Sequence, residues 1–274
     1  MAVSSDKKAA IKHNGLEICF EDKGHVYRVF DKDQQLKYKP ISVTTLIHKY
    51  QKPFDLEGMS ALCAKKEGVT QQEIKDRWAN ISKKACKHGT RMHSVAERIF
   101  NGEFVDDSQF SPEQQVVFKQ ISVVCNKLKE RPYDYESEKI IFDPVINVAG
   151  TIDLIGRSKT NPNEYILVDW KTNKKIRTSN EWGDTFLSPI DDLEDCELNL
   201  YGLQLTMYEH ILKEGGFVEP DAVFRKFICH FHAETGCKFH EIDNKYLSYK
   251  DKILVDWKKR QEALNAMNVD IPNF

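Results

Sequence analysis

Two apolar, β-branched runs joined by a turn constrain this chain most. Val145-Ile146-Asn147-Val148-Ala149-Gly150-Thr151-Ile152-Asp153-Leu154-Ile155-Gly156 is followed by Lys159-Thr160-Asn161-Pro162-Asn163-Glu164 and then by Tyr165-Ile166-Leu167-Val168-Asp169-Trp170-Lys171. Runs of this composition, bounded by Pro and Asn, read as strands at roughly 146–157 and 164–171, preceded by a third at 137–143. The short connection brings Asp153 and Asp169 near one another, and strand alternation puts Asp169 and Lys171 on one face with Trp170 in the opposite core. Two carboxylates and a lysine converging at strand ends can hold Mg²⁺ or Mn²⁺ through oxygen ligands, with the backbone carbonyl of Trp170 between them. Such an ion polarises a phosphoryl oxygen and lowers the pKa of water. The lysine orients that water or neutralises charge in the transition state.

A bare D-x-K carries little by itself, and the chain supplies its own control. Asp6-Lys7-Lys8, Asp243-Asn244-Lys245 and Asp256-Trp257-Lys258 all match, and Ile253-Leu254-Val255-Asp256-Trp257-Lys258 repeats residues 166–171 letter for letter. The flanks do not repeat. Leu247, Ile253, Leu254, Trp257 and Leu264 recur with a helical period, so the second copy is expected to be structural. What sets the first copy apart is the upstream Gly150-Thr151-Ile152-Asp153.

Around this hairpin the pattern alternates between helices and strands. Residues 1–14 are polar and expected to be loose, and 16–39 read as two or three antiparallel strands. Ser42 is an N-cap for a helix to about Tyr50, ended by Pro53. Residues 57–101 are mostly helical with an interruption near Gly68, the last helix running from about Ser82 to Phe100 with Met92, Val95, Ala96 and Ile99 on one stripe. Ser111-Pro112-Glu113-Gln114 starts another helix, to about Glu130. After the hairpin come an acidic, mobile loop (Trp182 to Glu194), a helix from Glu197 to Glu214, a strand from Ala222 to His232, a short strand near His240 and a closing helix from Tyr246 to about Asn268. The expected fold is α+β, a central mixed β-sheet flanked by helices, with residues 1–80 as an N-terminal β-strand and helical extension and 81–274 as the core, continuous with it.

Composition narrows the function classes. The 40 basic and 42 acidic residues nearly balance, which excludes a bulk-basic, histone-like binder while allowing a local basic patch. Seven scattered cysteines with no C-x-x-C pair argue against a structural zinc, an iron–sulfur cluster or a disulfide framework, and for a reducing compartment. No run approaches the ~20 apolar residues of a membrane span, and the N-terminus has neither signal nor transit character, so a cytoplasmic setting is expected.

Two further pairs lie on helices. His93 and Glu97, in Gly89-Thr90-Arg91-Met92-His93-Ser94-Val95-Ala96-Glu97, share a helix face and can complete a metal shell or hold its waters; they can equally be a surface pair. Gln204 and Tyr208 lie beside the stripe Leu200, Leu203, Met207 and Ile211, where an amphipathic margin is the bland reading.

Taken in order, these motifs resemble the PD-(D/E)xK nuclease superfamily in its RecB-like branch, near the mitochondrial genome maintenance exonucleases and phage-type exonucleases. That branch carries G-T-x-x-H-x-x-x-E, G-T-x-D, D-x-K and Q-x-x-x-Y, matched here by Gly89/Thr90/His93/Glu97, Gly150/Thr151/Asp153, Asp169/Lys171 and Gln204/Tyr208. Ser42-Val43-Thr44 and Trp78 also look like that subgroup. The resemblance implies a restriction-endonuclease-like core and metal-dependent hydrolysis of a DNA backbone. It implies His93, Asp153 and Asp169, with the Trp170 carbonyl, as ligands of Mg²⁺ or Mn²⁺. Lys171 would be base or water positioner, with Glu97 in the catalytic set and Gln204, Tyr208, Thr172, Lys174, Ser42 and Thr44 toward substrate. Glu138 matches a less regular family glutamate. The cluster-binding cysteines of some relatives are missing, and with no helicase motif any unwinding would come from a helicase or recombination partner.

Lys174, Lys175 and Arg177 continue from the catalytic strand, and Lys83, Lys84 and Lys87 precede the histidine helix, so both runs can put cations near a phosphate track. The acidic 191–197 stretch is expected off the substrate path or as a gate. The resulting expectation is a deoxyribonuclease, an exonuclease on single-stranded or frayed DNA ends in replication, recombination or repair, in a phage or bacterial setting. The alternatives are a structure-specific endonuclease on the same core, a non-catalytic nucleic-acid-binding protein, and a structural α+β domain with fortuitous carboxylates.

Overall fold

A computed structural model describes residues 7–21, 24 and 26–269. The chain opens with a four-stranded antiparallel meander, β1 (Lys7–His13), β2 (Leu16–Glu21), β3 (Val26–Phe30) and β4 (Leu36–Tyr38). Residues 7–13, expected to be loose, are thus a strand: they lack apolar alternation but pair with β2 along their length. Residues 1–6 and most of the turn expected at 22–24 lie outside the described residues.

The short β5 (Ile41–Ser42) leads into α1 (Val43–His48), where Ser42 Oγ accepts from the Thr45 N–H at 3.0 Å, the expected cap. Next come α2 (Leu56–Glu67), ended by left-handed Gly68, and α3 (Gln71–Phe100). Helix α3 starts eleven residues before the expected Ser82, because Thr70 and Glu73 form a reciprocal capping box. A division at residue 80 therefore falls inside a continuous helix. Helix α4 (Pro112–Lys129) begins at the predicted Ser111 cap with Pro at its first position.

The central sheet holds β6 (Tyr133–Asp143), β7 (Val148–Ser158), β8 (Glu164–Lys171), β9 (Val223–His232) and β10 (Gly236–Ile242), in the order β10-β9-β8-β7, with β6 and β5 on β7. Helix α5 (Glu197–Glu214) makes the crossover that parallel β8 and β9 require, and α6 (Tyr246–Val269) closes the described chain. One face of the sheet packs Ile166, Val168 and Trp170 against Met92, Val95, Ile121 and Cys125 of α3 and α4. The other packs Leu167, Ile152 and Ile228 against Leu203, Met207 and Ile211 of α5, with Val43, Leu46 and Ile47 of α1 and Trp257 of α6. The meander lays Ile18, Phe20, Tyr27 and Val29 on Ile140, Phe142 and Ala149.

The sheet forks at one place. Ala149 pairs with Phe142 of β6 on one side and Ser42 of β5 on the other. On that second side β8 joins only at Leu154, opposite Val168, and the ladder continues away from Asp153 and Asp169. The ends of β7 and β8 that carry the two aspartates therefore splay, and the splay opens a cleft.

The segment expected to be a mobile loop is tied down instead. Phe186, Ile190, Leu193 and Cys196 are buried, and Phe186 N–H donates to Leu193 O at 3.0 Å. Its acids are engaged away from the cleft, Asp192 with Lys252, Asp195 with Gln51 and Glu197 with Arg177. The second hexapeptide lies on α6, where Trp257 Nε1 donates to Ile146 O at 2.9 Å and Asp256 accepts from Tyr50 at 2.8 Å. Its role in the structure is packing. Among the described residues no helix is long and apolar enough to cross a membrane.

Candidate active site

The fork holds a cleft of ≈ 560 Å³ lined by Thr90, His93, Glu97, Glu138, Thr151, Asp153, Asp169, Lys171, Gln204 and Tyr208, with Ser42 and Thr44 at its rim and Phe20 and Tyr27 of the meander forming a wall. The ten groups come from five elements, Thr90, His93 and Glu97 from α3, Glu138 from β6, Thr151 and Asp153 from β7, Asp169 and Lys171 from β8, and Gln204 and Tyr208 from α5. Gly150 has no alternative: a Cβ there would lie 2.6 Å from Tyr208 Cε1. Asp153 bridges the fork, its Oδ2 accepting from the Trp170 N–H at 2.8 Å and its Oδ1 lying 3.3 Å from His93 Nδ1. In an extended strand a residue's N–H and C=O share one edge, so the Trp170 carbonyl also faces the Asp153 side.

Asp169, 2% exposed, is held from two directions. Gln204 Nε2 donates to its Oδ1 at 3.1 Å and to Tyr208 Oη at 2.9 Å. Its Oδ2 lies 2.5 Å from Lys171 Nζ but accepts no aligned hydrogen bond. Gln204 and Tyr208, expected toward substrate, line the cleft and are largely buried, with Gln204 holding Asp169. Lys171 in turn lies 4.5 Å over the Tyr201 ring, whose hydroxyl accepts from Asn173 at 2.7 Å.

The electrostatics follow from burial and proximity. Burial pushes His93 down, but Asp153, with Asp169 behind it, outweighs burial and lifts the imidazole above its ordinary value. Burial would raise Asp153, yet His93, Lys171 and the Trp170 N–H hold it below its ordinary value. Asp169 goes the other way, raised by burial and by the charge of Asp153 despite Lys171. For Lys171 burial is outweighed by Asp169 and Asp153, which lift it above its ordinary value. Two carboxylates driven apart in this manner mark a site built to share positive charge.

Glu138 is the residue that the motif search left at the margin. His93, Glu138 and Asp153 offer ligand atoms that all lie within 4.8 Å of one another. Asp169 and Glu97 line the same cleft but stand outside that trio. Glu138 sits in β6 at φ 52°, a left-handed conformation that costs a non-glycine residue about 1–2 kcal/mol. One imidazole and two carboxylates form a donor set that fits a hard divalent cation, and the Asp169 carboxylate, paired with Lys171, lines the same cleft.

Beside the cleft, and sharing Thr90 and Ser94 with it, runs a groove of ≈ 1380 Å³. Lys84, Lys87, Arg91 and Arg98 line it along one face of α3, and Thr172 and Lys174 line it from the end of β8. Arg91 is fixed over the Phe110 ring at 4.3 Å, and Arg98 pairs with Glu103. Lys84, Lys87 and Lys174 have no ion-pair partner among the described residues. Lys84 and Lys87 of one expected basic run and Lys174 of the other meet in this groove; Lys83, Lys175 and Arg177 do not line it, Arg177 pairing with Glu197 and Lys175 with Glu181.

No curated protein sequence matches the chain significantly. A candidate exonuclease from Eubacterium rectale, of solved structure, is 12% identical and superposes with a TM-score of 0.39 over 68% of this chain and 69% of that one. The model of the PD-(D/E)XK nuclease superfamily matches residues 45–270, a span that holds every cleft residue named above except Phe20, Tyr27, Ser42 and Thr44. With its forked mixed sheet and Asp153, Asp169 and Lys171 at the fork, the chain belongs to the PD-(D/E)XK nuclease superfamily, hydrolases that cleave nucleic-acid phosphodiester bonds.

Proposed function

We propose that this protein is a Mg²⁺- or Mn²⁺-dependent deoxyribonuclease that degrades single-stranded or frayed DNA from a free end, in replication, recombination or repair. The observation that carries the reading is the convergence of His93, Glu138 and Asp153 with the Asp169–Lys171 pair at the mouth of a basic groove. His93, Asp153 and Asp169, with the Trp170 carbonyl, would hold the cation. When bound, the cation supplies Lewis acidity to a phosphoryl oxygen and acidifies the attacking water. Lys171, ion-paired with Asp169, acts as the base or orients the water and offsets charge on the phosphoryl group. Glu97, one turn beyond His93, is placed to hold a water at the edge of the cleft. Thr172, Lys174, Lys84 and Lys87 hold the backbone of the strand through phosphate contacts that carry no sequence information. Unwinding of a duplex is the task of a partner.

The test is a gel assay of end-labelled linear single strands, linear duplex and single-stranded circles with Mg²⁺, Mn²⁺ or EDTA, alongside Lys171→Ala. Metal-dependent loss of linear single strands, with circles spared and the variant inactive, is the expected result. Cutting of circles makes the protein an endonuclease with the same chemistry. No cleavage of any substrate by the wild type, with binding retained, refutes the enzymatic reading.

A further inference from the structure

Four non-glycine residues among those described have positive φ. Asn14, Gln34 and Asn147 lie in connections between strands, where such a conformation serves a turn. Glu138 lies inside an eleven-residue strand. It is not an inserted residue, because Ser137 pairs with Leu154 and Lys139 with Ile152, so the register passes through unshifted. Glu138 therefore stands directly across from Asp153, with its backbone turned out of the extended form at that point alone. The fold thus accepts a left-handed glutamate at the position across from Asp153. It places His93 within 4.8 Å of both, and the buried Asp169 carboxylate, paired with Lys171, lines the same cleft.

A cation held among these groups would be shared by an imidazole and two carboxylates. We propose that Glu138 is a metal ligand of this site, and that its left-handed backbone is what aims the carboxylate at the His93–Asp153 pair. The proposal rests on the metal-dependent nuclease reading and extends it to a strand that the D…D-x-K pattern does not include. It also explains why an ordinary extended glutamate does not suffice at 138, since an undistorted cross-strand pair would leave the strand straight there.

Glu138→Gln removes the charge and keeps the strain; Glu138→Gly removes both. The readouts are Mn²⁺ affinity by calorimetry and the melting temperature in EDTA, with cleavage followed separately. Both variants are expected to bind Mn²⁺ roughly 10–100-fold more weakly than the wild type. The Gly variant is expected to melt about 2–4 °C above the Gln variant without metal, because glycine takes φ > 0 without penalty. Unchanged Mn²⁺ affinity in Glu138→Gln overturns the ligand assignment, and a Gly variant that melts no higher than the Gln variant overturns the strain argument. If the wild type cleaves DNA and binds Mn²⁺ while Glu138→Gln matches it, this assignment alone falls. A wild type that neither binds Mn²⁺ nor cleaves refutes the nuclease reading itself.

Discussion

Gln204→Ala is the most informative single substitution, because its side chain does two things at once in a dry place. Gln204 is 7% exposed, and its amide donates to Asp169 Oδ1 and to Tyr208 Oη. Truncation leaves a buried carboxylate oxygen without its donor, a loss of about 1.5–3 kcal/mol for a hydrogen bond to a charged group. Asp169 is already raised by burial and by Asp153, so losing the donor raises it further and disfavours the charged form that a cation needs. Outer-shell partners of this kind are worth roughly 10–100-fold in metal affinity or activity, which at about 1.4 kcal/mol per decade is about 1.4–2.8 kcal/mol, close to the energy of the bond itself. The assay is a Mn²⁺ titration of activity, read as kcat and as the midpoint, beside thermal melting. The expected result is a right-shifted midpoint, a lower kcat and a melting temperature reduced by several degrees. A variant that melts lower yet keeps kcat and midpoint within about twofold of wild type would refute the positioning role and leave Gln204 a packing residue.

Three other substitutions separate the site from its surroundings. Lys171→Ala should abolish cleavage while Lys258→Ala, in the second copy of the hexapeptide on α6, leaves it unchanged; equal effects in the gel assay would sink the distinction. Lys84→Ala/Lys87→Ala/Lys174→Ala should lower the slope of log K against log salt by about 2 for single-stranded DNA, three phosphate contacts at about 0.7 each, with no gain of sequence preference; an unchanged slope places the strand elsewhere. Lys226, 1% exposed, donates to Glu209 at 2.7 Å. Burial would raise Glu209, but Lys226 and Lys213 hold it below its ordinary 4.5, so its stabilising contribution is full above about pH 4.5 and lost as pH falls through the lowered value. Lys226→Met should cost about 3–5 kcal/mol near neutrality by stranding the carboxylate, and the deficit should shrink on acidification, as burial then favours the neutral acid; a deficit that grows at low pH in denaturant melts contradicts this.

Much of the fold was legible because local chemistry and tertiary environment agree. The α5 boundaries, the Ser42 and Ser111 caps and the β7–β8 pair follow directly from period and punctuation. The twice-used hexapeptide shows where legibility stops: the same six residues are a central strand at 166–171 and part of a helix at 253–258. Only their neighbours decide. Strand β1 was hidden because an edge strand needs no alternation, and the anchoring of 183–196 because Phe186, Ile190 and Leu193 are scattered among acids at no single period. Of the site, the order of motifs predicted which side chains share the cleft. It did not predict that Gln204 holds Asp169, nor that Glu138 completes the trio. The first depends on the depth of α5 against the sheet and the second on one backbone angle, and neither leaves a periodic trace.

The N-terminal meander has a consequence in time as well as in space. Its apolar face, Ile18, Phe20, Tyr27 and Val29, is covered by Ile140, Phe142 and Ala149, and Tyr27 reaches Thr151 with a 2.9 Å hydrogen bond. The partner surface is made roughly 120 residues later, about 6–24 s at 5–20 residues per second on the ribosome. Through that interval a hairpin sheet with an uncovered greasy side waits beside the exit tunnel for the strands that will hide it. The same contact that lines the cleft ties the burial of the first strands to the arrival of β6 and β7.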